Sequence, residues 1–158
     1  MSSQHETFLR QAIELAIENV RSGRGGPFGA LVVKDGRVIA TGVNQVTTGN
    51  DPTAHAEVMA IRTACQAMGS FQLDGCQIYT SCEPCPMCLA AIYWARLDRL
   101  VFASTRDEAA GIGFDDALIY DEIAKPVEAR RLAARHLPLP QARAAFDAWL
   151  AKTDRTRY

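Results

Sequence analysis

The sequence has no basic run and almost no imbalance of charge. Seventeen lysines and arginines stand against 18 acidic residues, for a formal net charge of -1. A surface that binds a phosphate backbone concentrates cations to displace counterions, and here they are scattered. A nucleic-acid partner is therefore not expected. Long apolar runs are missing too. No stretch approaches the 18 residues of a spanning helix, and Met1 to Glu6 lacks the basic-then-apolar order of a secretory leader. No membrane partner and a cytoplasmic location follow as expectations. Cysteine is too sparse for a disulfide scaffold. In a reducing compartment Cys65, Cys76, Cys82, Cys85 and Cys88 read as thiols or ligands.

What is present fits one domain. A chain of 158 residues buries roughly two-thirds of its unfolded surface, and 48% hydrophobic content leaves no room for a long disordered tail. Glu6 to Arg21 reads as an amphipathic helix with Phe8, Leu9, Ala12, Ile13, Ala16, Ile17 and Val20 on its apolar stripe. Gly29–Lys34 and Arg37–Thr41 are β-rich runs joined by Asp35-Gly36, a strong hairpin signal. A helix is expected over Pro52–Met68, a strand over Gln77–Thr80, a helix from Pro86 to about Arg96, and a strand over Leu100–Ala103. Further helices are expected over Asp116–Ile123 and Gln141–Lys152. The latter carries Ala142, Ala145, Phe146, Trp149 and Leu150 on one face, while 125–140 gives no periodic signal. A hairpin followed by helix, strand, helix, strand is an α/β layered plan, with parallel strands in its second half.

The chemistry concentrates in His55-Ala56-Glu57 and Pro84-Cys85-Pro86-Met87-Cys88. One imidazole and two thiolates are a zinc ligand set, and three protein ligands leave a fourth position for water, as in catalytic sites. Residues two apart point to nearly opposite sides of a helix, so His55 and Glu57 can share a site only if the metal lies off the helix N-terminus. Cys85 and Cys88 suit the cap and third residue of a helix starting at Pro86, where the positive helix end lowers thiol pKa. Backbone N–H groups near Ala56 and Cys85 would hold a developing oxyanion. Cys82-Glu83-Pro84-Cys85 is also a C-x-x-C. Pro86 favours Cys85 and Cys88, yet a closed structural site could draw its fourth ligand from Cys82 or Glu57. Gly23, Gly25 and Gly26 precede a strand and lack the following Lys-Ser/Thr of a phosphate loop.

The runs Asp51 to Val58 and Thr80 to Cys88 resemble the cytidine deaminase superfamily, whose zinc deaminases carry H-x-E and P-C-x-x-C. More narrowly, Gly25-Gly26-Pro27-Phe28-Gly29, Asn44 to Thr48, Ala91 to Ala95, Gly113-Phe114-Asp115-Asp116 and the terminal Tyr158 make the chain similar to small bacterial guanine deaminases. The resemblance implies a three-layer α/β/α sandwich around a five-stranded mixed sheet, one Zn2+ per subunit, and conversion of guanine, a small-molecule purine, to xanthine and ammonia. It also implies a homodimer whose C-terminal segment, about 140–158, is exchanged and covers the neighbour's active site. Carried onto this chain, His55, Cys85 and Cys88 would hold zinc and Glu57 would move protons, assisted by Asp116. Asn44, Phe28, Ala56, Trp94 and Tyr158 would bind the base.

Each assignment has a plainer rival. Asn44 could be a turn residue, Asp115 or Asp116 a helix cap, Phe28 core, Trp94 an interface anchor and Tyr158 a frayed end. The zinc motif itself is shared with cytosine, tRNA-adenosine and riboflavin-pathway deaminases, so cytosine, a pterin-like ring or a guanine nucleoside is the alternative substrate, and tRNA adenosine a more distant one. A non-catalytic zinc-stabilised binding protein is the alternative from another class.

Overall fold

The computed structural model describes residues 2–158. Its sheet starts with the hairpin the sequence announces: β1 (Gly29–Lys34) and β2 (Arg37–Val43) pair antiparallel around Asp35 and Gly36, both at positive φ. That backbone is the turn whose twist matches the strands it joins. β3 (Cys76–Cys82) pairs antiparallel with β1, from Ala30 opposite Thr80 to Lys34 opposite Cys76. β4 (Arg99–Ser104) then adds parallel to β3, giving the order β2-β1-β3-β4.

Alternation along the strands splits the core in two. Leu31, Val33 and Tyr79 face α1 (Ser2–Arg21) and pack with Phe8 and Ala12. Ala30, Val32 and Ile78 face the opposite way and pack with Ala56, Ala60 and Ala64 of α3 (Ala56–Met68) and Ile92 of α4 (Pro86–Trp94). Helices on both faces of a mixed sheet make the three-layer α/β/α sandwich that was expected. The alanine stripe lets α3 lie almost on the sheet. At Gly42 a Cβ would stand 2.2 Å from the Ala56 carbonyl oxygen and 2.4 Å from the Ala60 nitrogen. This contact fixes where α3 begins, and hence where His55 and Glu57 sit.

Several expectations need correction. The sheet has four strands, not five. After β4, Thr105 caps α5 (Arg106–Ala110) in a capping box with Glu108, and no later segment joins the ladder. Pro126, Pro138 and Pro140 supply no N–H donors to one. The helix expected from Pro52 begins at Ala56. Asp51 accepts instead from the Thr53 N–H at 2.8 Å and its hydroxyl at 2.7 Å, an Asx turn that delays helix entry. On α1 the buried face is Phe8, Ala12, Ala16 and Asn19, whereas Ile13, Ile17 and Val20 remain exposed. A short helix, α2 (Val46–Gly49), also went unanticipated.

The chain separates into two compact units, one ending at Asp116 and one spanning Ala117–Tyr158. The second holds α6 (Ala117–Ala124), a 3-10 turn (Val127–Ala129) and α7 (Ala142–Ala151). None of its residues is buried, and the expected apolar face of α7 leaves Phe146 and Leu150 largely exposed. Among the described residues, no helix is long and apolar enough to cross a membrane.

Candidate active site

One end of the sheet gathers the chemistry of the first unit. β1 enters there after Phe28, β2 leaves into Asn44, and β3 leaves toward Cys85. The Gly29 N–H donates to the Ser81 hydroxyl at 3.0 Å, tying the start of β1 to the end of β3.

His55 is the N-cap of α3 and Cys85 the N-cap of α4, both in extended backbone. Neither side chain caps its own helix, so both are available to a ligand. Pro86 occupies the first turn of α4, and Cys88 follows within that turn, fully buried. His55 Nδ1 lies 3.6 Å from Cys85 Sγ and 3.5 Å from Cys88 Sγ. All three donor atoms fall within 4.8 Å of one another. A tetrahedral zinc, with Zn–S near 2.3 Å and Zn–N near 2.0–2.1 Å, sets nitrogen and sulfur ligands about 3.6 Å apart. The donors therefore already stand at zinc spacing.

Electrostatics agree with ligation. A hydrogen bond from the Cys88 thiol holds Cys85 down to about 4, with His55 adding to the effect. That same hydrogen bond, reinforced by burial, pushes Cys88 up, so the pair shares one proton that a cation would displace. The hydrogen bond with Cys85 raises His55. Cys82 behaves differently: burial pushes its thiol up to about 11, and it lies 3.7 Å from the Thr105 carbonyl oxygen. This separates the two overlapping C-x-x-C pairs. Cys85 and Cys88 lie in one group with His55 that could hold a metal ion, and Cys82 is a strand-end thiol outside it.

Glu57 is buried at the second position of α3, and loss of water pushes its carboxyl up, with the Cys85 charge adding to the shift. Ala56 is buried at the first position, where a helix N–H has no intrahelical acceptor. Asp116 is half-buried, and its carboxyl is raised by desolvation first and by the Cys85 charge second. It therefore lies within electrostatic reach of the centre. Asn44 is buried, and its Oδ1 accepts from the Gly26 and Val46 N–H groups at 3.2 and 3.3 Å. Phe28 is half-buried and meets Phe114 edge to face at 4.9 Å. Phe114 was not singled out as a site residue in the sequence. The signal was its place two residues before Asp116.

Two expected residues are not brought to this cluster within the first unit. Trp94 closes α4, about 12 Å along its axis from Pro86 at 1.5 Å per residue. There it is 62% exposed beneath the Arg96 guanidinium, 5.8 Å from the ring centre. Tyr158 ends the second unit, 74% exposed.

Two helix N-termini converging on a His-Cys-Cys triad, beside a buried glutamate, define a zinc hydrolase site. The chain belongs to the cytidine and deoxycytidylate deaminase family, whose zinc-binding region matches residues 2–104. It is 54% identical to the guanine deaminase of Bacillus subtilis (strain 168) over 154 residues, which is 98% of this chain and 99% of that one. A crystal structure of Bacillus subtilis guanine deaminase superposes with a TM-score of 0.96 at 55% identity, covering 98% of both chains. A tRNA-specific adenosine deaminase from Aquifex aeolicus (strain VF5) is 32% identical over 87% of each chain.

Proposed function

We infer that this protein is a zinc-dependent guanine deaminase, converting guanine and water to xanthine and ammonia. The observation that carries the reading is end-to-end likeness to a guanine deaminase combined with a zinc-spaced triad and its adjacent buried glutamate. His55, Cys85 and Cys88 hold the metal. When bound, zinc supplies a nucleophile at neutral pH by lowering the pKa of water toward about 7.

The chain's own groups do the rest. Glu57 takes a proton from the attacking water and delivers it to the ring nitrogen beside C2, which makes that carbon electrophilic. A second proton moves to the 2-amino group, which leaves as ammonia. Burial raises the proton affinity of Glu57 and suits it to both halves of this cycle. Asp116 assists the transfers around the amino group, its carboxyl raised by burial in the same sense. Backbone N–H groups at Ala56 and Cys85 stabilise developing negative charge. Asn44 donates its amide NH2 to an acceptor on the base, since its oxygen is already held by two backbone donors. Phe28 walls the purine.

The enzyme acts as a homodimer in which the segment from about residue 140 to the terminus is exchanged, with Tyr158 closing over the neighbour's base and Trp94 completing a wall. The apolar residues that 117–158 leaves exposed support this reading, Leu132, Leu137, Phe146 and Leu150 among them. The protein works in the cytoplasm.

A panel of guanine, guanosine, cytosine, a pterin and tRNA adenosine, with zinc quantified in each preparation, tests the assignment. Guanine should be turned over fastest, and only by zinc-loaded protein. Preference for any other member overturns the specificity. A tRNA substrate is the second reading, favoured by likeness to the adenosine deaminase from Aquifex aeolicus. Its scattered charge opposes it, and tight, salt-sensitive tRNA binding would restore it.

A further inference from the structure

Among the described residues of α1, one polar side chain is fully buried, and it touches the segment that carries Asn44. Asn19 is completely buried, in helical register with Ala12 and Ala16. Its Nδ2 donates to the Gly26 carbonyl at 2.9 Å and to the Asn44 carbonyl at 2.8 Å. Turning the amide over would set Oδ1 against two carbonyl oxygens, so the network fixes its orientation. The cost is visible on the other atom. Among the described residues, Asn19 Oδ1 is the one buried side-chain oxygen without a hydrogen-bond partner. A buried unsatisfied acceptor costs free energy; an apolar residue here would spare Oδ1 that cost but would take from the Asn44 carbonyl the donor it has.

The two carbonyls gripped by Asn19 belong to the two segments that frame the Asn44 side chain. The Gly26 N–H donates to Asn44 Oδ1, and the Asn44 N–H donates to the Phe28 carbonyl at 3.1 Å. Gly25 lies so close that a Cβ on it would stand 2.1 Å from the Asn44 carbonyl oxygen and 3.1 Å from Asn19 Nδ2. The Arg24 N–H returns to the Asn19 carbonyl at 3.1 Å and closes the loop onto the helix. We propose that Asn19 is a positioning residue: from α1 it clamps the Gly26 and Asn44 carbonyls and so holds the Asn44 amide NH2 facing the purine. The inference rests on the assignment of Asn44 to base binding made above.

The test is a double-mutant cycle on the zinc-loaded enzyme, measuring KM and kcat for guanine. Asn19→Ala should raise KM about five- to tenfold while kcat changes less than about twofold, because orientation of a binding group is lost and proton transfer is not. In an Asn44→Ala background the same substitution should add less than about twofold, since there is no amide left to aim. A purely packing role would lower melting temperature alike in both backgrounds and leave KM unmoved. Asn19→Leu, branched at the same atom as asparagine but without its polar groups, is read if Asn19→Ala does not fold. An unchanged KM in the single variant, or a loss that multiplies in the Asn44→Ala background, overturns the proposal. So does failure of both Asn19 variants to fold with zinc, which makes the residue structural only. An unchanged KM in Asn44→Ala alone sinks the assignment of Asn44 itself, and this inference with it.

Discussion

The two halves of this molecule handle their apolar residues in opposite ways. Up to Asp116 the strands and helices bury their hydrophobic faces against one another, with Leu31, Val32, Leu73 and Ile78 fully inaccessible. From Ala117 on, a comparable supply of leucine, isoleucine, phenylalanine and tryptophan buries nothing completely. A segment so short rarely supports a core of its own. The contrast teaches that amphipathic pattern reports a need for burial without naming the surface that meets it. In the first unit that surface is nearby in sequence. For the second, the proposed surface is another copy of the chain.

Substitutions can break or sharpen this contrast. The largest effect falls on the first unit's chemistry. Glu57→Gln should lower kcat at least a hundred- to ten-thousandfold with zinc content and melting temperature unchanged. Steady-state rates with metal analysis check it, and a rate near wild type would remove Glu57 from the mechanism. Core truncation comes next. Leu31→Ala, at a site with no accessible surface, should cost about 2–5 kcal/mol in a denaturant titration.

In the second unit Phe146→Ala, at a side chain 68% exposed, should barely move the unfolding of one subunit but weaken the proposed dimer in sedimentation experiments. If it instead destabilises the subunit as Leu31→Ala does, the two units are not different in kind. A smaller effect is expected of Asp116→Asn, about ten- to a hundredfold in kcat with zinc retained; wild-type turnover would leave Asp116 a role in helix entry alone.

The smallest effect concerns acid. The Thr53 hydroxyl and N–H hold the Asp51 carboxyl below its usual value. A depressed folded pKa contributes stability above the unfolded value, near 4, and loses it as pH falls through the folded value. Asp51→Asn should therefore lower the melting temperature slightly at pH 6 and by less as the pH falls below about 4. Parallel curves across that range would remove the Asx turn from the stability of the His55 loop.

Much of this was legible in residue order, and the illegible parts have physical causes. Asp35-Gly36 and the β-branched runs beside it placed the hairpin, because turn and strand chemistry there are both local. Pro86 placed the start of α4, since proline fits only a first helical turn. The donor triad followed from the C-x-x-C spacing and the histidine, although Cys82 stayed ambiguous until its buried strand-end position was known. The α3 start was misread because Asp51 before Pro52 serves a helix cap and an Asx turn equally well; which one forms depends on Gly42 drawing Ala56 onto the sheet. Asn19 escaped notice because a lone asparagine late in a helix resembles a surface residue. Its register with Phe8, Ala12 and Ala16 was the available clue. The count of strands depends on what pairs with β4, and no local pattern after Thr105 announces that.

The central claim is a metal with one coordination position left to solvent. X-ray absorption at the zinc edge on purified protein tests it most directly. Two sulfurs near 2.3 Å, one imidazole nitrogen and one further light-atom ligand that exchanges for an added small anion would match the geometry at His55, Cys85 and Cys88. A third sulfur, or a fourth ligand that no added anion displaces, would contradict it.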